Sequence, residues 1–205
     1  DTNLNIMDRN PTKDTMTGFA SLFQGGSMAQ SLPDGGFYPM ENPDGSFYPA
    51  TGEAYGRAIE GHLRRDGESI GVYPLMAVHG QDGALEGFTV WWGCVDWDEG
   101  REASFIHAKN VHEVLAQIGI KGWVERSRSK GFHLWVFFTE PLAARIVRDG
   151  LIGICNVVGA PTKEVNPKQI SLVGKKIGNG MRLPYPALRD PGQHEMLNPK
   201  ATYSQ

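Results

Sequence analysis

Cysteine is nearly missing from this 205-residue chain, which has only Cys94 and Cys155. Two isolated thiols cannot build a disulfide framework or a zinc module. His79, His107 and His112 share no ligand spacing with either thiol, so no structural zinc is predicted. Also lacking is any apolar run near the ~18 to 20 residues that cross a bilayer, and no basic leader with an apolar stretch precedes the first turn signals. The expectation is a cytoplasmic protein in a reducing compartment, without membrane contact. The chain opens on Asp1 rather than Met, which points to a processed or excised domain.

A large net charge is missing too, but the total of −3 hides an asymmetry. Residues 1–100 carry 5 Lys+Arg against 15 Asp+Glu, whereas residues 101–205 carry 15 against 8. An acidic half facing a basic half suits a site in which carboxylates hold cations and Lys or Arg hold phosphates; two solvated faces would give the same count.

What is abundant is glycine, at 26 residues, in a chain that is 40% hydrophobic, a composition for one well-filled domain or one domain with an extension. Residues 1–52 are polar and turn-rich, with an imperfect echo, P-D-G-G-F-Y-P at Pro33 to Pro39 and P-D-G-S-F-Y-P at Pro43 to Pro49. They read as an irregular N-terminal arm or hairpin that packs its aromatics on a main domain over 53–205, with its core at about 88–186. A short helix is possible from Thr17 to Phe23. Glu53 to Arg65 reads as a helix stopped by Asp66-Gly67, and Ile70 to Val78 as a strand interrupted by Pro74. Phe88 to Asp96 is a strong strand. Val111, Val114, Leu115 and Ile118 mark an amphipathic helix ended by Gly119. Gly122 to Arg126 and Phe132 to Phe138 are strands, and Thr139 with Pro141 predicts the start of a helix that runs to Val158 and buries Leu142, Ile146, Leu151 and Ile152. Val165 to Val173 and Met181 to Leu183 look extended. The order β-α-β-β-α-β is that of an α+β fold, the split β-α-β plan, in which two helices cover one face of an antiparallel sheet and leave the other free.

The chemistry concentrates in two stretches. C-V-D-W-D-E-G, Cys94 to Gly100, ends an apolar strand in carboxylates. An i, i+2 spacing on a strand puts Asp96 and Asp98 on one side of the sheet, roughly 7 Å apart, an arrangement for holding metal. Alone it also reads as an acidic turn. The second stretch, S-R-S-K-G-F-H-L-W-V-F-F at Ser127 to Phe138, leads from a glycine turn into an aromatic strand. There Lys130, Gly131, Phe132 and Phe137 fit four of the eight positions of the third-strand motif of RNA-recognition modules. His133 departs from that motif, and carboxylates stand where the first strand would need stacking aromatics. Alternation puts His133, Trp135 and Phe137 on one face of this strand; Trp91, Trp92, Trp97 and Trp123 read as core or rim aromatics.

Taken together, the apolar strand with D-x-D, the Ser-x-Ser-Lys-Gly-x-His stretch and the later E-V-N-P-K-Q (Glu164 to Gln169) and G-N-G-M-R-L-P (Gly178 to Pro184) resemble the archaeo-eukaryotic primase superfamily, in particular the primase-polymerases of phages and mobile elements and the polymerase domains of bacterial end-joining ligases. The resemblance covers roughly residues 90–186. It implies an RRM-like sheet core and a template-dependent nucleotidyltransferase, a DNA primase or polymerase. Its cofactors would be two Mg²⁺ or Mn²⁺ ions, and its partners nucleoside triphosphates and single-stranded or primed DNA. A helicase or accessory domain elsewhere in a longer protein and a bacterial, phage or mobile-element setting belong to the same expectation. It implies metal binding by Asp96, Asp98 and a third acid, Glu164, with Glu125 and Asp190 as fallbacks. Ser127, Ser129, Lys130 and His133 would hold the triphosphate, with His133 a phosphate donor rather than a metal ligand. Arg182 would grip phosphate, and Lys168, Lys175 and Lys176 either meet phosphates or form a solvated basic loop. G-K-K-I-G-N-G lacks the spacing of a Walker loop. A noncatalytic single-strand-binding module and a two-metal nuclease remain open from the residues themselves.

Overall fold

The structure, a computed structural model, describes residues 11–32, 36–128, 130–172, 177–186 and 194–197. Its centre is the long strand β5, Leu85–Trp97, whose apolar run from Val90 to Val95 suits a strand buried on both faces. The strand numbering follows chain order from β1 (Ser27–Ser31) and β2 (Phe37–Pro39) through β3 (Ser69–Tyr73) and β4 (Met76–His79) to β5. After β5 come helix α3 (Arg101–Gln117), β6 (Gly122–Arg126), β7 (Phe132–Ala143), helix α4 (Ala144–Val157) and β8 (Val165–Asn166). In space β8 pairs with β5, β5 with β7 and β7 with β6, every pair antiparallel. The β-α-β-β-α-β order expected from periodicity is therefore folded as a split β-α-β unit. β4 pairs with the first half of β5, at Leu85 to Thr89, and β8 with the second, at Cys94 and Val95. A short strand β10 (Glu195–Met196) extends the sheet beyond β6.

Alternation divides the sheet's side chains. Val95, Trp97, Leu134 and Val136 are buried on the face under α3 and α4, in one cluster with Val111, Leu115, Val147 and Leu151. Trp92, Cys94 and Trp135 belong to a second cluster on the opposite face. That second face was expected to be free, and it is only half so. Helix α1 (Lys13–Leu22) and helix α2 (Gly52–Arg64) supply Phe19, Tyr55 and Ile59 to the same cluster. Phe23 sets its ring edge-on against Trp135 and Phe137, at 5.1 and 5.0 Å between centroids. Such pairs contribute about 0.5–1.5 kcal/mol each beyond area burial. Trp92 donates its indole N–H to the Gln24 carbonyl at 2.9 Å.

The residues expected to form an irregular arm are thus regular over much of 11–52. Thr12 caps α1 by accepting from the Thr15 N–H, and β1 pairs with β2 on one side and β3 on the other. With β9 (Met181–Arg182) they form a second antiparallel sheet in the order β2-β1-β3-β9. Polar composition concealed this because the strands are short and their buried residues, Met28 and Ala29, sit among glycines and serines.

Two more expectations are corrected. Thr139 and Pro141 do not start a helix: β7 continues to Ala143, with Leu142 and Ala143 paired to Val90 and Thr89 after a register shift. The long partner strand offers this segment a ladder, and that pairing wins over a local capping pattern. Helix α4 consequently buries Ala144, Val147, Leu151 and Cys155, while Ile146 is 66% exposed. Within Val165 to Val173, only Val165–Asn166 is a strand, ended by Pro167, which has no N–H to continue the ladder; Val173 lies outside the described residues.

One buried histidine joins the second sheet to α2. His62 accepts the Ile70 N–H at Nδ1 (2.9 Å), so its Nε2–H donates to the Pro184 carbonyl (2.7 Å). His62→Leu strips both backbone groups of their partner, and each buried unsatisfied group costs about 1–3 kcal/mol. The expected result is a loss of roughly 2–4 kcal/mol in denaturant unfolding with an unchanged m-value. No helix among the described residues is long and apolar enough to cross a membrane.

Candidate functional site

The open half of the central sheet faces the second sheet across a cleft of about 540 Å³. Asp96, Asp98, Ser127 and His133 line it from the first sheet, Tyr73 and Arg182 from the second. The sequence had placed five of these six in one site, and the fold brings those five together.

The acidic end follows from strand register. Asp96 stands opposite His133 on β7, and His133 opposite Glu125 on β6. Directly opposed residues of an antiparallel pair share a face, so the three side chains form a row across the sheet. His133 Nδ1 lies 2.8 Å from Glu125 Oε2 and its Nε2 lies 3.4 Å from Asp96 Oδ1. With a carboxylate beside each ring nitrogen, both nitrogens donate, and the ring is an imidazolium. Burial opposes that charge, yet Glu125 and then Asp96 hold His133 well above its ordinary value, at about 10. Glu125 is fully buried. Burial opposes its charge too, but His133 and His194 hold the carboxyl down to about 2. Its remaining acceptor capacity is used: Trp135 donates to Oε2 at 2.7 Å, and His194 Nδ1 lies 3.3 Å from Oε1. Trp135, which shares a face with His133, is therefore a buried donor to Glu125 and presents no surface for stacking.

Asp98 lies just beyond the end of β5, exposed, and Asp96 is about one-third exposed (31%) at its side chain. The turn from β6 to β7 closes against them. Ser127 donates its N–H to the Gly131 carbonyl at 3.1 Å. A Cβ at Gly131 would stand 2.6 Å from the Trp97 carbonyl, 2.8 Å from Ser127 Oγ and 3.2 Å from Asp98 Oδ1. Glycine at this position lets the turn pack against the end of β5, which sets Ser127 beside Asp98.

Other expected residues lie elsewhere. Lys130 is exposed on the turn and is not part of the cleft wall. Glu164 is held next to Asp96 by backbone, its carbonyl accepting the Asp96 N–H at 3.1 Å, but its carboxylate is paired with Lys168 and neither side chain lines the cleft. Ser129, Lys175, Lys176 and Asp190 lie outside the described residues. Among the described residues, no group of three or more His, Cys, Asp and Glu side chains is arranged to hold a metal ion. Two carboxylates on a cleft edge do suit a hard cation that completes its shell with phosphate oxygens and water, as Mg²⁺ commonly does. Among the described residues Asp98 has no basic partner, which leaves its oxygens available.

Sequence reasoning passed over His194, Phe37 and Tyr73. Nothing local marks His194, because its contact with Glu125 spans 69 positions. The partnership of Glu125 and His133 did have a signal: in a hairpin turning near residue 129, positions 125 and 133 face each other.

A family model described as the archaeo-eukaryotic primase domain of TOTE conflict systems matches residues 46–192, well over half of the chain and every described cleft residue of the two sheets' strands except Phe37. No curated protein gives a match. Among solved structures, the polymerase domain from Mycobacterium tuberculosis Ligase D in complex with DNA is similar at 18% identity and a TM-score of 0.45, over 72% of this chain and 63% of that one. The chain thus spans somewhat less than two thirds of that structure's length. By the family match, the chain belongs to the archaeo-eukaryotic primase domains of TOTE conflict systems.

Proposed function

We propose that the cleft joins nucleoside triphosphates to a 3′-hydroxyl on single-stranded or primed DNA and releases pyrophosphate, with Asp96 and Asp98 as ligands of Mg²⁺ or Mn²⁺. The observation that carries this reading is the shared cleft: two carboxylates open onto the same space as an imidazolium, a serine hydroxyl and an arginine. Two bound divalent ions would supply stabilisation of the attacking and leaving oxygens of an in-line displacement.

The chain's own residues account for the rest. His133, kept charged by Glu125, donates from Nε2 to a phosphate oxygen beside Asp96. Ser127 adds a neutral donor, and the planar guanidinium of Arg182 reaches from the second sheet with a fork that matches phosphate oxygens. Glu164 serves as a third metal ligand only by exchanging Lys168 for the ion; Lys168 is then released toward phosphate. Lys130, on the exposed turn, meets phosphates at the mouth of the cleft. The N-terminal layer is part of this catalytic unit, since it walls the cleft.

A bare RNA-recognition sheet needs exposed aromatics on its open face. Trp135 is buried and Phe137 is covered by Phe23, which disfavours that alternative. The test is incubation with labelled primed and unprimed single strands, Mg²⁺ or Mn²⁺, and ribo- or deoxyribonucleotides supplied separately. Strands that lengthen are expected. Strands that shorten would assign a nuclease, and metal-independent binding without incorporation on any template would assign a binding module.

A further inference from the structure

His194 stands beyond residue 192, where the family match ends, yet it is buried (6% exposed) and lines the cleft. β9, which carries Arg182, belongs to the second sheet and β10 to the first, so the chain changes sheets between Arg182 and Glu195. Tyr185 and His194 both hold left-handed backbone, at φ 61° and 52°, where a large side chain is strained. They are tied to each other. Tyr185 donates its N–H to the His194 carbonyl at 2.7 Å, and its hydroxyl accepts the Met196 N–H at 3.1 Å. β10 then pairs with β6, Glu195 opposite Arg126 and Met196 opposite Glu125, and Leu197 donates its N–H to the Val124 carbonyl at 2.8 Å. Backbone strain persists only where the surrounding contacts over-determine it. Here those contacts converge on the placement of one side chain beside Glu125.

What that side chain does follows from the donors around Glu125. Oε2 accepts both the His133 Nδ1–H and the Trp135 indole N–H, at 2.8 and 2.7 Å. Among the described residues, Oε1 accepts only from His194, whose Nδ1 lies 3.3 Å away. The last torsion of a glutamate is broad, so a carboxylate with donors on one oxygen alone can turn and carry His133 with it. A donor on each oxygen removes that freedom. His133 is held at Nδ1 by Glu125, and the direction of its Nε2, toward Asp96 and the cleft, therefore depends on where that carboxylate points. We propose that His194 is a positioning residue: delivered by β10, it locks Glu125 and, through Glu125, aims His133 Nε2 at a phosphate oxygen of the reacting triphosphate. This rests on the nucleotidyl-transfer reading of the same cleft.

The test is a double-mutant cycle on the full chain, read by primer extension with Mn²⁺. His194→Phe keeps a ring and removes the donor; it is expected to lower kcat roughly 10- to 100-fold while KM for the nucleoside triphosphate stays within about threefold. His194→Asn sets an amide N–H where Nδ1 stood and is expected to recover most of that loss. In a His133→Gln background, His194→Phe should cost less than about threefold more, because effects that pass through one residue are not additive. Losses that add fully in the double variant, a His194→Asn no better than His194→Phe, or a loss that only tracks the folded fraction in a melt overturns the proposal. If His194→Phe does not fold at the assay temperature, Tyr185→Phe, which takes the hydroxyl from the Met196 N–H and leaves His194 in place, is expected to lower kcat several-fold, again only where His133 is present; an unchanged kcat overturns the proposal. Ring-nitrogen NMR of histidine-labelled protein needs no turnover. The His133 Nδ1–H should give a slowly exchanging signal that is absent from His133→Gln, broadened or lost in His194→Phe and kept in His194→Asn; a signal that His194→Phe leaves unchanged overturns the proposal. If the wild type extends no strand, the nucleotidyl-transfer reading falls, and this signal alone decides whether His194 holds His133.

Discussion

Asp96→Asn and Asp98→Asn are each expected to abolish metal-dependent strand extension, with a fall of roughly 10³-fold or more. That follows if each carboxylate supplies several kcal/mol of transition-state stabilisation through a bound ion, since every 1.36 kcal/mol is a factor of ten. The amides keep the shape of the side chains, remove the charge and turn one acceptor oxygen into an NH2 donor. Asp98 is exposed beyond the end of β5 and has no basic partner among the described residues, so Asp98→Asn should unfold within about ±0.5 kcal/mol of wild type. Asp96→Asn keeps an oxygen toward His133 Nε2, 3.4 Å away, but loses the charge that faces the imidazolium, and should be slightly less stable. Single-turnover extension of a labelled primer with Mn²⁺, alongside a denaturant melt of each variant, reads both effects. Retention of more than a tenth of wild-type rate by either folded variant would remove that residue from the metal site.

The pair of carboxylates was legible because strand alternation is a short-range rule. A D-x-D at the end of an apolar run must present both acids on one side of the sheet, at the strand's end, whatever the remaining fold does. Glu164 was placed by the resemblance, but which partner its carboxylate takes depends on Lys168 four residues later, in a segment that bends at Pro167. Spacing alone could not choose between a metal and a lysine. The start of α4 was misread for a related reason: Thr139 and Pro141 carry good local capping chemistry, but β5 is long enough to recruit them into a ladder. Least legible was the second sheet. Its strands β1, β2, β3 and β9 come from four separated stretches, two of them only two or three residues long. Segments that short have no periodicity to read, and they acquire structure from the glycines and rings that meet across the sheet, as Phe37 does with Gly71 and Gly180.

The same dependence on distant contacts makes Glu125 the residue whose loss should destabilise the fold most. Glu125→Ala leaves the indole N–H of Trp135 and ring nitrogens of His133 and His194 without their shared acceptor in a site closed to solvent. Removing one partner of a buried ion pair costs about 3–5 kcal/mol, a large part of the stability of an ordinary domain. Glu125→Gln keeps an oxygen for Trp135 but not the charge, and it should cost less, about 1–3 kcal/mol. The pH dependence separates charge from shape. The folded-state value of Glu125 lies near 2, below the ordinary 4.5, so its ionised form contributes stability that is complete above pH 4.5 and is lost as pH falls through 2. Urea unfolding of wild type and Glu125→Gln should therefore differ by a constant amount between about pH 5 and 6; the gap should close steadily below about pH 4 and also narrow above about pH 6.5, because the proton that Glu125 holds on His133 in the folded chain, up to about 10, is lost earlier in the unfolded one. A gap that persists undiminished to pH 2.5 would mean that Glu125 holds His133 and Trp135 by hydrogen-bond geometry alone and that its charge adds nothing to the fold.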